Sequence, residues 1–363
     1  MSDFVFVLEQ TLGHVSHGQN LERVVAADPD VDPTFIKIGF DSPAPLGVHN
    51  WSVRASWAAR MSLTRHLQSR HADAIFMHTQ VTGLMSADLV RRVPTVISLD
   101  ATPVNYDRVG SAYEHRVAPP AIESVKRWIN HRLFNAAGAL VTWCRWAADS
   151  LRDDYGVDPD KVHVIPPGVD PTLFSPGAGR REGPVRLLFV GGAFERKGGG
   201  DLLAALDSVR GEIELDLVTG AEPEIGDHPF QVRVHRRLRP QSAELLSLYR
   251  EADIFVLPAR GDCLPQAIAE AMACGLPVVA TSVGAISEMV RDLETGILVP
   301  PASPRRLAEA ISALVGDRAR RQALGNAGLQ VARRDHDMRR NNRSILDLMD
   351  AVAKQPGLVA SLP

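Results

Sequence analysis

Twelve short apolar runs, six in each half of the chain and separated by stretches with helical spacing, constrain the fold more than any other feature. In the first half they read "FVFVL", "FIKIGF", "AIFMH", "PTVISL", "GALVTW" and "KVHVIPP". Helical patterns such as "SVRASWAARMSLTRHLQS" and "AADSLRDDYG" lie between them. Strand, helix, strand repeated in this way reads as a doubly wound parallel sheet with both faces covered. The rhythm restarts after "GVDPTLFSPGAGRREGP", whose Gly, Pro and charge mark it as a linker. A second set follows: "VRLLFVGG", "IELDLVTG", "VRVHRRL", "DIFVLPA", "LPVVATS" and "GILVPP". The fold class is therefore α/β, with two Rossmann-like domains at 1–168 and 169–335 and an expected cleft at the carboxyl ends of their strands. The tail "RRDHDMRRNNRSILDLMDAVAK" is a basic, amphipathic helix. Residues 336–363 are expected to form a C-terminal helix packing toward the N-terminal domain.

Composition narrows the function classes. The chain has 363 residues, 45% hydrophobic and 23% charged, with a formal net charge of −3. A near-neutral balance gives no electrostatic footprint for nucleic acid. Cys144, Cys263 and Cys274 are odd in number and form no C-x-x-C pair, which points to a reducing compartment without a zinc site. "MSDFVFVLEQ" has no basic n-region, and no window reaches 18 uncharged apolar residues. A cytoplasmic location is the expectation.

Three strand-to-helix turns can carry chemistry. In "ARGDCLPQAIAEAMACGLPVVAT", residues 259–281, Pro265 suits the first helical position, where a missing N–H costs nothing. The amides of Gln266 and Ala267 then point out of the helix start, where a phosphate is favoured. Asp262 lies in the loop and Glu270 farther along the helix, so a ligand spanning the helix start would meet one acid at each end. A nucleoside diphosphate sugar has that shape. Equally, Asp262 reads as a turn or capping residue and Glu270 as a solvated helix position. The second turn is "LLFVGGAFERKGGGDLLAAL", where glycines permit close backbone approach and Arg196 and Lys197 supply charge for a diphosphate. It is neither a Walker A loop nor a G-x-G-x-x-G fingerprint, and it also reads as a plain turn. The third is the polar loop of Gly13, His14, Ser16, His17 and Gly18 after the first strand, where either histidine touches a ligand or is merely solvated.

The second half resembles the retaining glycosyltransferases of family 4, which have the GT-B fold. The likeness runs from "KVHVIPPGVDPTLFSP" through "LLFVGGAFERKGG" and "LLSLYREADIFVLPA" to "AEAMACGLPVVATSVGAISEMVRDLETGILVPPASPRRLAEAI". The resemblance implies a GT-B enzyme with two Rossmann-like domains whose sheets face each other across a cleft. It implies a catalytic set of Asp262, Arg196, Lys197 and Asp100. Donor-binding positions would be Gly13, Gly192, Leu238, Gln266, Ala267 and Glu270. Asp262 would contact donor-sugar hydroxyls, Glu270 the ribose, and Arg196 and Lys197 the leaving diphosphate. The base would sit near Leu238, and Gly13 would approach the diphosphate from the other domain. Three positions depart from the family pattern. The first acid is Asp262 rather than Glu, Gly192 stands where an arginine is common, and Asp100 occupies the place of a histidine beside the transferred sugar. Asp100 either takes that role or caps the loop "DATP".

The implied reaction moves a hexosyl group from a UDP-sugar or GDP-mannose to an acceptor hydroxyl with retention. The acceptor would be a carbohydrate, a lipid-linked molecule or a small molecule, and no metal cofactor is expected. A GT-B epimerase and a non-catalytic nucleotide-sugar-binding protein would use the same nucleotide site. In "WSVRASWAARMSLTRHLQSR" Val53, Trp57 and Met61 recur at steps of four, flanked by Arg54 and Arg60. Such a stripe serves either peripheral membrane contact or the core face of a Rossmann helix.

Overall fold

The computed structural model describes the chain except for residues 12, 46, 114, 116, 178–182 and 356–363. It divides into two compact units. Unit 1 comprises Met1–Tyr106, Val117–Pro167 and Met338–Pro363, and unit 2 comprises Asp107–Arg116 and Gly168–Asp337. The division is not purely sequential, because residues 107–116 cluster with the second unit. Among the described residues each of the twelve apolar runs overlaps one of twelve strands.

Unit 1 begins with β1 (Ser2–Glu9), α1 (His14–Ala26), β2 (Val31–Ile38) and α2 (Trp51–Ser69). It continues through β3 (Ala74–His78), α3 (Gln80–Gly83), α4 (Ala87–Arg92), β4 (Thr95–Leu99) and the start of α5 (Pro103–Val109), whose last residues belong to unit 2. After a 3-10 turn at Gly110–Tyr113, which belongs to unit 2, unit 1 resumes with α6 (Pro120–Ala136), β5 (Ala139–Thr142), α7 (Arg145–Asp153) and β6 (Val162–Val164). The strands pair in parallel in the order β2-β1-β3-β4-β5-β6.

Period-2 alternation distributes the sheet's side chains between two cores. Val5, Val7, Ile75 and Met77 join Ala55, Ala59 and Leu63 of α2 and Leu133 and Phe134 of α6 on one face. Phe4, Phe6, Leu8 and Phe76 meet Leu21 and Val25 of α1 on the other. Of the stripe at steps of four on α2, only Met61 is exposed; Val53 and Trp57 are half-buried, and Arg60 pairs with Asp88 through both terminal guanidinium nitrogens. Ala55, Ala58, Ala59 and Leu63 make α2 a sheet-covering helix. Among the described residues no helix is long and apolar enough to cross a membrane.

Unit 2 carries β7 (Val185–Val190), α8 (Gly199–Leu206), β8 (Ile213–Thr219), β9 (Gln231–Arg236), α9 (Ala243–Glu251) and β10 (Ile254–Leu257). Then follow α10 (Gln266–Ala273), β11 (Val278–Thr281), α11 (Ile286–Met289), β12 (Gly296–Val299), α12 (Pro304–Val315) and α13 (Arg318–Asp335). Its parallel sheet has the order β12-β11-β10-β7-β8-β9. The central strand β10 is a continuous apolar run because both faces are covered, and its neighbour β7 is apolar apart from Arg186, which pairs with Glu251. The stretch read as a linker is partly structural. Phe174 is buried edge-on against Tyr249, and Asp170 caps the turn at Thr172, while residues 178–182 lie outside the description. The last helix, α14 (Met338–Lys354), belongs to unit 1, where Ile345, Leu346, Met349 and Val352 enter the core shared with Phe4 and Phe6.

Candidate functional site

In unit 2 the chain winds outward from β7 through β8 to β9, returns to the other side of β7 as β10, and winds outward again. At such a reversal the loops leaving the two central strands run to opposite sides, which opens a crevice at their carboxyl ends. The loops here are "GGAFERKG", 191–198, after β7 and "PARGDCLP", 258–265, after β10. They carry Arg196, Lys197 and Asp262.

The two loops are bound tightly to each other. Gly198 takes φ 79°, and a Cβ there would lie 1.9 Å from the Pro258 carbonyl oxygen, so only glycine permits this approach. The Arg260 amide donates to the Arg196 carbonyl at 2.9 Å. Arg196 Nη1 donates to the Gly261 carbonyl at 3.0 Å. The Arg260 guanidinium grips Asp201, in the first turn of α8, through two bonds of 2.8 and 2.7 Å. Lys197 Nζ pairs with Asp262 Oδ2, and Arg196 Nη1 lies 4.0 Å from the same oxygen. The side chains of Arg196, Lys197 and Asp262 are 14%, 15% and 9% exposed, so their charges act with little solvent screening. Two cations against one carboxylate leave this corner positive, as an anion site requires.

Pro265 is not the first helical residue but the N-cap, in extended conformation, and α10 begins one position later at Gln266. The residue before a helix accepts the extended geometry that proline's fixed φ allows. Gln266 and Ala267 thus open α10, where backbone amides have no intrahelical acceptor. Gln266 Nε2 is buried without a partner.

Glu270 is not a solvated helix position. It is buried, and its Oε2 accepts a 2.8 Å hydrogen bond from the Tyr249 hydroxyl. Burial pushes its carboxyl up to about 7, with the Tyr249 bond pulling the other way. Near neutrality such a group can accept or donate a hydrogen bond to a ligand hydroxyl. Tyr249 is held by Phe174 and Phe255, and burial first, then Glu270, raises its hydroxyl well above the ordinary value. Gly192 lies in the loop after β7 with open space where a side chain would be. Leu238 follows the edge strand β9, two strand spacings (~10 Å) from β7. It lies apart from the Arg196–Lys197–Asp262 cluster.

Unit 1 has its own reversal, between β1 and β3. Gly13 is the exposed N-cap of α1, and Asp100 is half-buried just past β4. His14 and His17 are not in a polar loop but on α1, which starts at His14. Their rings pack edge-on against His78, at 4.9 and 4.8 Å between centroids, and His78 stacks on Trp143 at 5.3 Å. Both ring nitrogens of His17 and of His78 are buried without partners. Burial is the main reason their pKa values fall, His17 to about 3 and His78 well below the usual range. Glu9, also buried, accepts from Thr11 and Thr79 at 2.6 Å each and from the Trp51 indole at 3.1 Å.

Residue patterns alone did not mark Tyr249, Asp201, Arg260 or His78. Their importance lies in partners remote in sequence, and nothing near them in the chain signals it. Among the described residues no group of three or more His, Cys, Asp or Glu is placed to hold a metal ion.

Comparison with known proteins agrees in both halves. Residues 10–173 match the model described as Glycosyltransferase Family 4, and residues 184–317 the model described as Glycosyl transferases group 1. D-inositol 3-phosphate glycosyltransferase 1 of Catenulispora acidiphila is 32% identical over 289 residues, 72% of this chain and 68% of that protein. Sucrose-phosphate synthase from Thermosynechococcus elongatus superposes with a TM-score of 0.77 at 18% identity, covering 97% of this chain and 99% of that one. Anabaena HepE in complex with UDP-glucose superposes with a TM-score of 0.72 at 16% identity, covering 97% and 100%. The chain is a glycosyltransferase with the GT-B fold, and it belongs to glycosyltransferase family 4.

Proposed function

We propose that this enzyme moves a hexosyl group from a nucleoside diphosphate sugar, a UDP-sugar or GDP-mannose, to an acceptor hydroxyl with retention of configuration. The observation that carries the reading is the convergence of Arg196, Lys197 and Asp262 at the strand reversal of unit 2. The diphosphate is held by Arg196, Lys197 and the first amides of α10, at Gln266 and Ala267. Asp262 faces sugar hydroxyls, Glu270 the ribose, and Gly192 leaves room for the phosphates. The base lies toward Leu238. The UDP-glucose complex of Anabaena HepE supports a donor of this class.

Lys197 pairs with Asp262, so donor binding exchanges one anionic partner for a stronger one. The diphosphate takes Lys197, and Asp262 turns its freed acceptors to the sugar. In the chemical step the bond from the anomeric carbon to the phosphate oxygen breaks, and a bond to the acceptor oxygen forms on the same face. The acceptor's proton passes to the departing phosphate oxygen. Arg196 and Lys197 stabilise the charge that develops there, the kind of preorganised electrostatic effect that is usually the largest single contribution. The acceptor is a hydroxyl-bearing polyol or sugar, the class named in the D-inositol 3-phosphate relative.

Thermal melts with UDP, GDP, ADP and dTDP test the donor site directly. A ligand at 100 times its Kd adds about 2.7 kcal/mol, a clear rise in Tm. One nucleotide should stand out, and the anomeric configuration of the product made from its sugar, read by NMR, should match that of the donor. No shift with any nucleotide would remove the reading.

A further inference from the structure

The segment 107–116 lies in the chain between β4 and β5 of unit 1, yet it is part of unit 2. It is braced internally. His115 Nε2 is 2.8 Å from Asp107 Oδ1, the His115 amide donates to the Gly110 carbonyl at 3.0 Å, and the His115 ring fills the space beside Gly110. The brace presents two residues to the donor loops. Ala112 abuts Gly261, where a Cβ would sit 2.4 Å from the Ala112 Cβ and 3.1 Å from the Val109 carbonyl. Tyr113 lays its ring against the Arg196 guanidinium, 4.3 Å from the ring centroid.

One of these contacts falls on the backbone neighbour of Asp262 and the other on the charged group of Arg196 itself. Gly261 precedes Asp262, and its carbonyl accepts from Arg196 Nη1 at 3.0 Å. Arg196 is therefore fixed from two directions, at one edge by the Gly261 carbonyl and on one face by the Tyr113 ring. A guanidinium covered on its face keeps its remaining N–H edges directed in plane, the geometry that matches a phosphate. Fixing it beforehand also removes rotamer freedom that ligand binding would otherwise have to freeze out.

We propose that Tyr113 is a positioning residue for diphosphate recognition. With Ala112 seated on Gly261, it holds Arg196 ready for the leaving phosphates without touching the donor itself. The inference rests on the donor reading above, and it assigns a third element, drawn from the first half of the chain, to a site otherwise built by the loops after β7 and β10. It also accounts for glycine at 261, since any larger residue would push the segment off the loop.

The test is calorimetric titration of the full chain with UDP and GDP, and with UMP and GMP, for wild type and variants. Tyr113→Ala and Tyr113→Leu, the second keeping apolar volume without a π face, should each weaken binding of the preferred diphosphate about fivefold. Binding of its monophosphate should not change, and Tyr113→Phe should match wild type. In an Arg196→Ala background, Tyr113→Leu should change diphosphate binding less than about twofold, because the partner through which it acts is gone. Equal loss for mono- and diphosphate, a Phe variant as weak as the Leu variant, or an undiminished effect without Arg196 would each overturn the proposal. Wild type that binds diphosphate while both Tyr113 variants bind it equally well refutes only the role of Tyr113. Wild type that binds no nucleoside diphosphate refutes the donor reading and the inference together.

Discussion

The two strand reversals solve the same topological problem with opposite chemistry. In unit 2, between β7 and β10, the crevice is lined by Arg196, Lys197 and Asp262, charged groups held by one another and by short loops. In unit 1, between β1 and β3, the corresponding place holds three histidines, Trp143 and the enclosed carboxylate of Glu9. The histidines His17 and His78 are held neutral by burial, so they bring no cation to the reversal. The difference teaches that a doubly wound sheet supplies the crevice, while the loop residues decide whether it can receive an anion. Among the described residues, the paired cations Arg196 and Lys197 stand at the reversal in unit 2.

The largest effect that would break this contrast is Lys197→Ala. Transfer should fall by about 100-fold or more, as when one oxyanion-stabilising donor is removed, with the fold retained by circular dichroism. A folded variant with more than a tenth of wild-type turnover would leave the charged reversal without its proposed role. Asp262→Asn comes next. It removes the competitor for Lys197 and weakens contact with the sugar, so kcat/KM for the sugar nucleotide should drop about 10- to 100-fold while affinity for the bare diphosphate holds. Parallel loss of both would count against the sugar-side assignment.

The pH dependence of stability separates the two reversals by sign. His17 is depressed in the folded state, so its contribution is fully present above about pH 6.5 and fades as pH falls toward 3. His17→Asn should flatten the fall in unfolding free energy between pH 6 and 4 by about 1 kcal/mol per pH unit, measured by urea melts. Glu270 is raised, so its contribution is present below about pH 4.5 and is lost as pH rises to about 7. Glu270→Gln keeps an acceptor for Tyr249 and should stabilise the chain by about 1–3 kcal/mol at pH 8 but little at pH 4. Equal effects at both pH values would show that the acid is not held protonated by burial. The smallest effect is expected at the partly exposed Asp201–Arg260 pair. Asp201→Asn should raise donor KM only a few-fold and leave kcat nearly unchanged, since the remaining backbone bonds still join the loops.

Much of this architecture is legible in the residues because burial on both faces of a parallel sheet imposes a local pattern. "AIFMH" coincides with β3, and "PTVISL" and "DIFVLPA" each enclose a strand, since a strand covered by helices must be apolar along its length. Arg196, Lys197, Asp262 and Glu270 could be singled out because each lies in a strand-to-helix unit whose chemistry is local: glycines before a helix, cations beside them, acids around a helix start. Pro265 stands one position before the place its sequence suggests, because an N-cap and a first helical residue both tolerate proline. His14 and His17 lie on a helix rather than in a loop, and a polar-looking "GHVSHG" carries no mark of the Trp143 and His78 rings packed against it.

By itself the sequence determined two parallel α/β units, the order of their strands along the chain, and the residue types available at each turn, because backbone hydrogen bonding and burial act over short windows. Tertiary structure alone decided which turns lie beside each other. It paired Lys197 with Asp262 across 65 residues, set Glu270 against Tyr249 so that burial shifts its proton affinity, and carried Tyr113 from the first half of the chain to Arg196. Those contacts depend on strand order and on the desolvation that packing imposes. Neither is a property of any stretch short enough to be read on its own.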